Sequence, residues 1–503
     1  MDLSRLNGAP RPAKDGWLAP VALCALLAGC VVGPNYHRPA APAVSEYTRQ
    51  ALPNPTVSSP TLGGQAQRFV PGADVSGRWW TLFQSPRIDA LVDRALKANP
   101  DLRSAQAALR GARETYLASR GALYPQVQAG FDTSRQKNSS TLASPLNSNA
   151  ENFSLNTAQV QIAYAPDVFG GVRRQIESAA AQMEGQRYML EAVYLTLTSN
   201  VVLAAVQEAS LRGQVRSTQR SIEVGETLLS NLRLQRRLGQ IAEGDVAAQE
   251  AALAQARLAL PPLLKQLAQQ QDLLAQLTGG VPSETPDDSV ELESVKLPSD
   301  LPVSLPSRLV EQRPDIRAAE ANLHAASALI GVAAANRLPS LSLTGSMGGA
   351  STALTDLFSS GNTFWSVGAG ITQPIFDAGT LRHRQRAAEA AYDQAAAQYR
   401  STVHGAFQNV ADTLQALDQD ARALKSAAEA QAATAKSLDL ARQEQAAGET
   451  NAAAVLNARQ ADEAAISILV QARTSRLTDT VALYQALGGG WWNRVDDEAI
   501  AGK

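Results

Sequence analysis

Few residues in this chain combine the types and the spacing that could do chemistry. A P-loop and a G-x-S-x-G nucleophile motif are both absent from the sequence. Gly368 and Gly370 are not followed by a third glycine or a strand-to-helix switch, so they do not make a nucleotide-binding loop. The histidines share no spacing typical of metal ligands: His37, His324, His383 and His404. We therefore expect no catalytic residue, no metal site, no cofactor and no enzymatic activity.

The two cysteines indicate a different kind of chemistry. Both Cys24 and Cys30 lie within the first 30 residues, so the rest of the chain has no disulfide framework and no thiolate metal site. A basic start is followed by an apolar run of 13 residues, Trp17–Gly29, which is too short to span a bilayer at about 20 residues. These features predict an export signal that ends just before Cys30.

The end of this run, Leu27-Ala28-Gly29-Cys30, resembles the lipobox of bacterial lipoprotein signals. In that motif the signal, here residues 1–29, is removed and Cys30 is acylated as the first residue of the mature protein. Each buried methylene of an acyl chain contributes about 0.8 kcal/mol, so several chains make a permanent anchor. Val31 stands where an aspartate commonly retains lipoproteins at the inner membrane, so the outer membrane is favoured. The alternative is an inert thiol in a signal peptide.

The overall charge and hydropathy bound the remaining possibilities. The chain has 503 residues, a formal net charge of −2 and 18% charged residues, which does not indicate a nucleic-acid partner. After the signal no apolar run reaches the 18 residues of a transmembrane helix, so a membrane crossing would have to use β-strands. Residues 30–77 are rich in Pro, Ala, Ser and Gly, and predict a lipidated, extended linker to a body that begins at Arg78.

The body of the chain is an internal duplication. Residues 99–127 recur as residues 313–341 at a constant offset of 214. Later positions match at drifting offsets: Phe169 with Phe376, Gly171 with Gly379, Gly239 with Gly448, and Leu277–Gly279 with Leu487–Gly489. The domain boundaries expected from this are a first repeat at 78–279, a connecting segment at 280–312, a second repeat at 313–490 and a tail at 491–503.

Each repeat predicts a helix, two strands and a long helical hairpin. The first helix begins at a Pro-Asp pair, whose acid suits the positive end of a helix, and it stops before Pro125 or Pro339. The alternation of apolar and polar residues slips near Thr157–Ala158, which predicts a β-bulge. Strands of about 10 residues with one apolar face suit a tilted outer-membrane crossing, and the alternative is a surface hairpin of a soluble domain. The alternating segments are Val127–Thr133, Val160–Tyr164, Leu341–Met347 and Trp365–Ile371.

The helical hairpins are predicted to be unusually long. Segments 171–238 and 379–446 have helical spacing, no proline and a length of about 100 Å at 1.5 Å per residue. Returning helices are predicted at 245–277 and 452–487, after turns that contain glycine. Pro261-Pro262 should kink the first returning helix or force an exposed bend.

The strand count requires an assembly if these strands cross a membrane. Single-chain barrels need about eight strands, and each repeat offers only two. An open sheet edge in lipid leaves backbone groups unpaired at a cost of roughly several kcal/mol each. Several chains must then share one barrel, which the long helices would continue as a second, helical cylinder.

These features together resemble the TolC-like outer-membrane efflux channels, in the NodT-type lipoprotein subgroup. The resemblance implies a mainly α protein with membrane β-strands: a homotrimer whose 12-stranded β-barrel, four strands per chain, continues into a 12-helix periplasmic α-barrel. It implies a passive outer-membrane exit duct for small molecules, with a periplasmic adaptor, an inner-membrane RND-type transporter and outer-membrane lipid as partners. The matching stretches run from residue 27 to about 492: the lipobox, Gly33–Pro39, Trp80-x-x-Phe83, both Pro-Asp helix starts, Pro374–Gly379 and Leu487–Trp491.

The resemblance also implies functional positions at the periplasmic helix turns. Family members often carry acids just beyond the second turn, where this chain has Ala454 and Asn457. A ring of acids binds cations, so we expect weaker cation affinity at this constriction. The alternative is that the glycines of the two turns merely end helices in a left-handed conformation. Adaptor contact and the gate are expected at Leu238, Gly239, Gln240 and Ile241, and at Ala447, Gly448, Glu449 and Thr450.

Two other functions fit the same features. A duct of the same build could serve type I protein secretion with a different inner-membrane transporter. The neighbouring genes would distinguish protein secretion from small-molecule efflux. A periplasmic coiled-coil scaffold lipoprotein with soluble hairpins is the third reading. It would lack the heat-resistant β-structure and the trimer in detergent that a duct predicts.

Overall fold

The computed structural model describes residues 31–139, 141, 148, 150–284 and 289–494. Its helices are α1 (Pro86–Ala98), α2 (Pro100–Gly121), α3 (Gly171–Arg237), α4 (Glu243–Leu277), α5 (Pro306–Gln312), α6 (Pro314–Ala335), α7 (Thr380–Ala447) and α8 (Ala452–Ala486). Its strands are β1 (Arg68–Pro71), β2 (Gln126–Lys137), β3 (Asn152–Tyr164), β4 (Asp300–Val303), β5 (Ser340–Ser351) and β6 (Thr363–Thr372). The helix and strand types expected in each repeat are therefore present in the expected order.

The chain divides into two compact units, each built from both repeats. The strand unit comprises the segments up to Arg38, Gly111–Met183 and Ala321–Ala397. The helical unit comprises Pro39–Arg110, Glu184–Glu320 and the chain from Gln398 onward. All four long strands belong to the strand unit, and most of the two helical hairpins belongs to the helical unit.

The strand unit holds one four-stranded antiparallel sheet in the order β2-β3-β5-β6. Its ladders run without interruption, so the β-bulge expected near Thr157–Ala158 is wrong: Thr157 pairs with Asp132 and Ala158 with Phe131. The alternation slips in the sequence because Asn156 lies on the apolar side of the sheet, whereas the apolar residues Phe153 and Leu155 lie on the opposite side. Asn156 is buried there, with its amide oxygen accepting from Thr133 Oγ1 at 2.8 Å.

The internal repeat is geometric as well as sequential. Strand β5 follows β2 at an offset of 214, whereas β6 follows β3 at an offset of 209, because the connection between the paired strands is shorter in the second repeat. Three pairs of glycines with positive φ then keep the offset of 209: Gly170 with Gly379, Gly239 with Gly448, and Gly279 with Gly488. The matches of Phe169 with Phe376, Gly171 with Gly379 and Leu277–Gly279 with Leu487–Gly489 are therefore displaced by one or two residues.

The ends of the two returning helices pack in the same way. A Cβ on Gly279 would lie 2.7 Å from the backbone of Ala98, and a Cβ on Gly488 would lie 2.7 Å from the carbonyl oxygen of Gln312. Ala98 and Gln312 are equivalent residues of the two repeats, at the offset of 214. Both glycines are thus required by a close approach as well as by φ.

The long helices confirm the sequence prediction closely. Helix α3 has 67 residues and α7 has 68, and each ends within one residue of its expected boundary. Helix α4 runs without a break through Pro261 and Pro262, whose side chains are exposed, so the pair does not end the helix. Among the described residues, α3 alone contains an 18-residue window apolar enough to cross a membrane, and 67% of that window is buried within the protein. That burial is typical of a core helix.

From Pro39 onward, the segment expected to be an extended linker instead belongs to the helical unit. Strand β1 pairs in parallel with β4, with Phe69 opposite Leu301. Arg476, which is 1% exposed, donates to the carbonyl oxygens of Gly63 at 3.0 Å and Gln65 at 2.7 Å. The composition predicted an extended linker because these hydrogen bonds are accepted by backbone carbonyls. Every residue has such a carbonyl, so the sequence does not show which ones are used.

Candidate functional site

The four-stranded sheet has one apolar face over its whole width, and we call it the apolar strand face. Directly opposite residues in the ladders are apolar in succession, as in Val127 with Ile162 and Leu341 with Ile371. Its large side chains lie open to the surroundings, with Trp365 78% and Val367 80% exposed. The apolar strand face comprises Val127, Ala129, Phe131, Ala158, Val160, Ile162, Leu341, Leu343, Met347, Trp365, Val367, Ala369 and Ile371.

The opposite side of the sheet, the polar strand face, carries mostly amides, hydroxyls and glycines, and its large apolar members are Phe153, Leu155 and Phe364. Ser346 and Ser366 share a hydrogen bond of 2.7 Å across the β5–β6 ladder. Soluble proteins rarely leave an apolar surface as broad as the apolar strand face uncovered, because its contact with water is unfavourable. Apolar-out and polar-in alternation is typical of strands that line a membrane barrel. The polar strand face comprises Gln126, Gln128, Asp132, Ser134, Thr157, Gln159, Gln161, Ser342, Thr344, Ser346, Ser366 and Gly368.

The chain just after the expected lipid site is held against the strand unit. Cys30 itself, like the signal at 1–29, lies outside the described residues. Val32 donates its N–H to the carbonyl oxygen of Phe169 at 3.1 Å. Arg174, which is 5% exposed, donates to the Val32 carbonyl at 3.3 Å and to Asn35 Oδ1 at 2.8 Å. The first described residues are thus fixed by a buried guanidinium.

A second set of contacts completes this attachment, which we call the Arg174 clamp (Arg174, Glu177, His324 and Tyr36). Arg174 pairs with Glu177 at 2.7 Å, and Glu177 Oε1 lies 2.9 Å from His324 Nε2. The imidazole of His324 stacks on Tyr36, with ring centroids 4.3 Å apart. Burial raises the pKa of Glu177, but hydrogen bonds from Arg174 and His324 outweigh it and hold that pKa below its usual value. Sequence reasoning missed this cluster because its members come from distant parts of the chain.

The two helix turns have the geometry that the repeat predicts. Gly239 and Gly448 have φ of +74° and +77°. The N–H of each following residue bonds back into the last helical turn, as Gln240 to Gln235 and Glu449 to Glu444, both at 2.9 Å. A Cβ at either glycine would meet nothing within 4 Å, so the turns are open to a partner. The left-handed helix ending is therefore present, and it leaves both turns accessible.

Ala454 and Asn457, the two positions where the resemblance implies acids, lie in the first turns of α8. Ala454 is half-buried in the first turn of α8, and its N–H donates to Asn451 Oδ1 at 3.0 Å. Asn457 lies one turn further on the same helix face and is exposed. The first turn of α8 contains no acidic residue.

Ion pairs connect the two helices of the first hairpin near its turn. Arg233 pairs with Glu250, and Arg257 with Glu226, both at 2.6 Å across α3 and α4. Arg236 pairs with Glu243 across the turn, and its side chain is 53% exposed. Each exposed ion pair contributes only about 0–1 kcal/mol to the stability of the folded protein. A small apolar cluster lies between these helices: Leu229, Val246 and Leu253.

The helical unit contains one unusual carboxyl pair. Burial, together with the neighbouring carboxyl of Asp479, raises the pKa of Asp420 to about 7, although Arg476 opposes the rise. Burial also lowers the pKa of Arg476 to about 10, which Asp420 opposes. Over the described ranges, no group of three or more His, Cys, Asp or Glu side chains could hold a metal ion.

An exposed apolar strand face and two long helical hairpins in one chain are typical of an outer-membrane channel protein. The model of the outer membrane efflux protein family matches residues 91–280 and 305–489. This chain therefore belongs to the outer membrane efflux protein family, whose members are channels rather than enzymes. It is an exit duct of the outer membrane with a TolC-like fold, and the predicted resemblance to the outer-membrane efflux channels is confirmed.

Three relatives illustrate the similarity. The pyoverdine export outer membrane protein OpmQ of Pseudomonas aeruginosa is 31% identical over 85% of this chain and 90% of its own length. The toluene efflux pump outer membrane protein TtgF of Pseudomonas putida is 30% identical over 94% of this chain and 96% of its own. The open state of the MtrE outer membrane channel of Neisseria gonorrhoeae superposes with a TM-score of 0.77 at 28% identity, covering 93% of this chain and 100% of that one.

Proposed function

We propose that this protein is a trimeric, lipid-anchored duct through which an inner-membrane pump exports small molecules across the outer membrane. The observation that carries the proposal is the apolar strand face, which lies exposed while the polar strand face is available to line a water-filled lumen. Lipid would cover the first face, and the exported compound would pass the second.

The strand count and the sheet edges support an assembly of several copies, and the resemblance supports a trimer. The sheet has four strands, and β2 and β6 are its outer members. Backbone groups at such edges cannot stay unpaired in lipid, and a barrel needs at least about eight strands. Three copies would supply 12 strands and a ring of 12 helices, as the resemblance implies. The repeats at 78–279 and 313–490, joined by 280–312, are the proposed building blocks.

The substrate class is proposed from the relatives. OpmQ is named for pyoverdine export and TtgF for toluene efflux, and both cargoes are small molecules. A passive tube does not select its cargo, so we assign selection to an RND-type transporter and a periplasmic adaptor. No catalytic step is assigned to this chain.

Three sites serve this function in the proposal. Cys30 carries the lipid, and the Arg174 clamp fixes the chain that follows it. The open turns at Leu238–Ile241 and Ala447–Thr450 receive the adaptor. Ala454 and Asn457 lie at the gate region without acidic charge.

Conductance in a planar lipid bilayer tests the proposal. The purified, lipidated protein should migrate as a trimer in mild detergent and give discrete ion-conducting steps after insertion. Cys30→Ser, which removes only the proposed lipid site, should still conduct once reconstituted but should lose its stable outer-membrane fractionation in cells. A water-soluble monomer without conductance would instead support the coiled-coil scaffold and overturn the duct.

A further inference from the structure

Two cations lie on the apolar side of the sheet at the end of the strand unit that is away from the helices. Strand β2 starts after α2 at Gln126 and ends at Lys137, so Lys137 lies at this far end. In the proposed duct the far end faces the cell exterior. Because side chains alternate along a strand, Arg135 and Lys137 lie on the same side of β2 as Phe131. Positive charge therefore follows the apolar residues on one side of one strand.

The spacing along the strands places these cations at the depth of lipid headgroups. The apolar strand face extends along β5 from Leu341 to the level of Gly349, which is about 27 Å at 3.3 Å per residue. A strand tilt of about 40° reduces this length to a height of about 21 Å, close to the apolar band of about 25 Å in outer-membrane barrels. Arg135 lies about 13 Å beyond Phe131 along β2. It is therefore outside the acyl-chain layer, at the level of headgroup phosphates.

Both cations are available to a ligand. Arg135 and Lys137 are exposed, and neither has an ion pair or a side-chain hydrogen bond with another described residue. The acids nearest to them along β2 and β3, Asp132 and Glu151, alternate to the other side of the sheet. Asp356, in the connection between β5 and β6, is the remaining acid of this end. The two cations thus outnumber the acid on the apolar side.

An apolar groove lies on the same side of the sheet, at the outer margin of the apolar strand face. Its volume is about 530 Å³, within the range of about 300–1,000 Å³ that is typical of ligand pockets. Small and large side chains alternate around it, so it is deep enough to hold a chain of methylenes. The groove is lined by Ala129, Ala158, Val160, Met347, Phe358 and Trp365.

The groove owes its shape to the connection between β5 and β6, which turns back over the sheet. Gly349 permits this approach, because a Cβ there would clash with the carbonyl oxygen of Leu357 and lie 3.3 Å from Cδ1 of Phe358. Phe358 lines the groove while its side chain stays 70% exposed. The ring therefore forms a wall of an open depression and does not fill a core.

We propose that each copy of this chain binds one molecule of lipopolysaccharide here, with an acyl chain in the groove and phosphate at Arg135 and Lys137. A guanidinium and an ammonium bind phosphate through charge-assisted hydrogen bonds, and the groove removes an acyl chain from water. Two cations that are two residues apart suit a headgroup with more than one phosphate, whereas a phospholipid headgroup is joined through one. The exterior end of the strands also lies in the leaflet that lipopolysaccharide occupies. This inference rests on the proposed outer-membrane duct and names a lipid that the duct holds.

Native mass spectrometry of the purified, lipidated trimer in mild detergent tests the proposal. The probe is a rough lipopolysaccharide with two phosphates on its lipid A, and phosphatidylglycerol at the same concentration is the comparison lipid. Arg135→Gln with Lys137→Gln removes both cations, and Phe358→Ala removes one wall of the groove. The matched control is Arg382→Gln with Arg386→Gln, since these arginines are exposed on α7 at the helix end of the same unit. Conductance is recorded on every preparation.

The natural protein should retain one lipopolysaccharide per copy and should bind phosphatidylglycerol more weakly. Loss of the two cations should weaken lipopolysaccharide binding about 10- to 30-fold, and Phe358→Ala should weaken it several-fold. The control pair should bind like the natural protein, and all variants should still conduct.

Four results would overturn the site. They are unchanged binding by the variant without the two cations, unchanged binding by Phe358→Ala, an equal loss in the control pair, and equally tight binding of phosphatidylglycerol. A natural trimer that conducts and retains no lipopolysaccharide would likewise overturn the lipid site, and the duct would stand. Absence of both trimer and conductance in the natural protein would overturn the proposed function itself.

Discussion

Met347 lies directly opposite Trp365 in the β5–β6 ladder, and the two side chains are 73% and 78% exposed. A cross-strand pair of this size contributes to a soluble sheet by burial, yet here it lies open. Contact with lipid would remove both side chains from water. The exposure of this pair therefore supports a position of the strand unit in the outer membrane.

A charge on the apolar strand face should impair assembly, and the same charge one residue away should not. Val367→Lys places an ammonium toward the acyl chains at a cost of about 2–4 kcal/mol near the bilayer midplane. Ser366→Lys points to the opposite side of β6, toward the proposed lumen. We expect a several-fold loss of heat-resistant trimer for Val367→Lys and little loss for its neighbour. Equal behaviour of the two variants would contradict the assignment of faces.

Removal of the guanidinium at the centre of the Arg174 clamp should release the chain that follows the lipid site. Hydrogen bonds to a charged group contribute about 1.5–3 kcal/mol, so Arg174→Ala should speed hydrogen exchange at the Val32 amide by about 10- to 100-fold. The control is Arg173→Ala, because Arg173 pairs with Asp167 and is 46% exposed. An unchanged Val32 amide in Arg174→Ala would show that other contacts hold the segment.

Substitution of the two turn glycines should be restricted by their positive φ and not by a lack of space. Because the space around Gly448 is open, Gly448→Ala should cost about 1–2 kcal/mol through its left-handed φ. Gly448→Asn, which tolerates that conformation better, should lose less. Thermal unfolding of the two variants in detergent measures the difference. An alanine variant as stable as the natural chain would mean that this turn readjusts freely.

The pH dependence of stability should reflect the carboxyl pair of the helical unit. The pKa of Asp420 is raised to about 7, above the about 3.9 of an unfolded aspartate, so the folded state holds this proton more tightly. Its contribution to stability is full below about pH 4, declines as pH rises toward 7, and is lost above that. Asp420→Asn should therefore reduce the fall in Tm between pH 5 and pH 8. An undiminished fall would place the cause in other groups.

The gate region should bind multivalent cations weakly. Ala454 and Asn457 supply no charge to a ring, so a trivalent cation on the periplasmic side should block the natural channel little. The double variant Ala454→Asp with Asn457→Asp should gain block, and the uncharged control Ala454→Asn, which keeps Asn457, should not. Strong block of the natural channel would contradict this account of the gate.

Most of the fold could be predicted from local sequence patterns. Period-two alternation along residues 126–134 and 363–372 identified the strands and their faces, since both depend on neighbouring residues only. The glycine turns and the proline-bounded helices were predictable for the same reason. Asn156 misled the prediction because its partners, Thr133 and Ser351, lie on other strands.

Contacts between distant segments were not predictable. The Arg174 clamp joins residues 36, 174, 177 and 324, and Arg476 holds a segment more than 400 residues away through backbone carbonyls. Neither set has a spacing that a local pattern could reveal. The gate and adaptor positions came from family resemblance, and they remain predictions about a partner-bound state.

The central claim is that the alternate side chains of β6 face lipid and lumen. Single cysteines placed at each position from Thr363 to Thr372 in the full chain, and treated in intact outer membranes with a membrane-impermeant thiol reagent, test it most directly. The account predicts protection at Trp365, Val367, Ala369 and Ile371, and modification at Ser366, Gly368 and Gly370. Uniform modification at both sets of positions would show that water reaches both faces, and would contradict it.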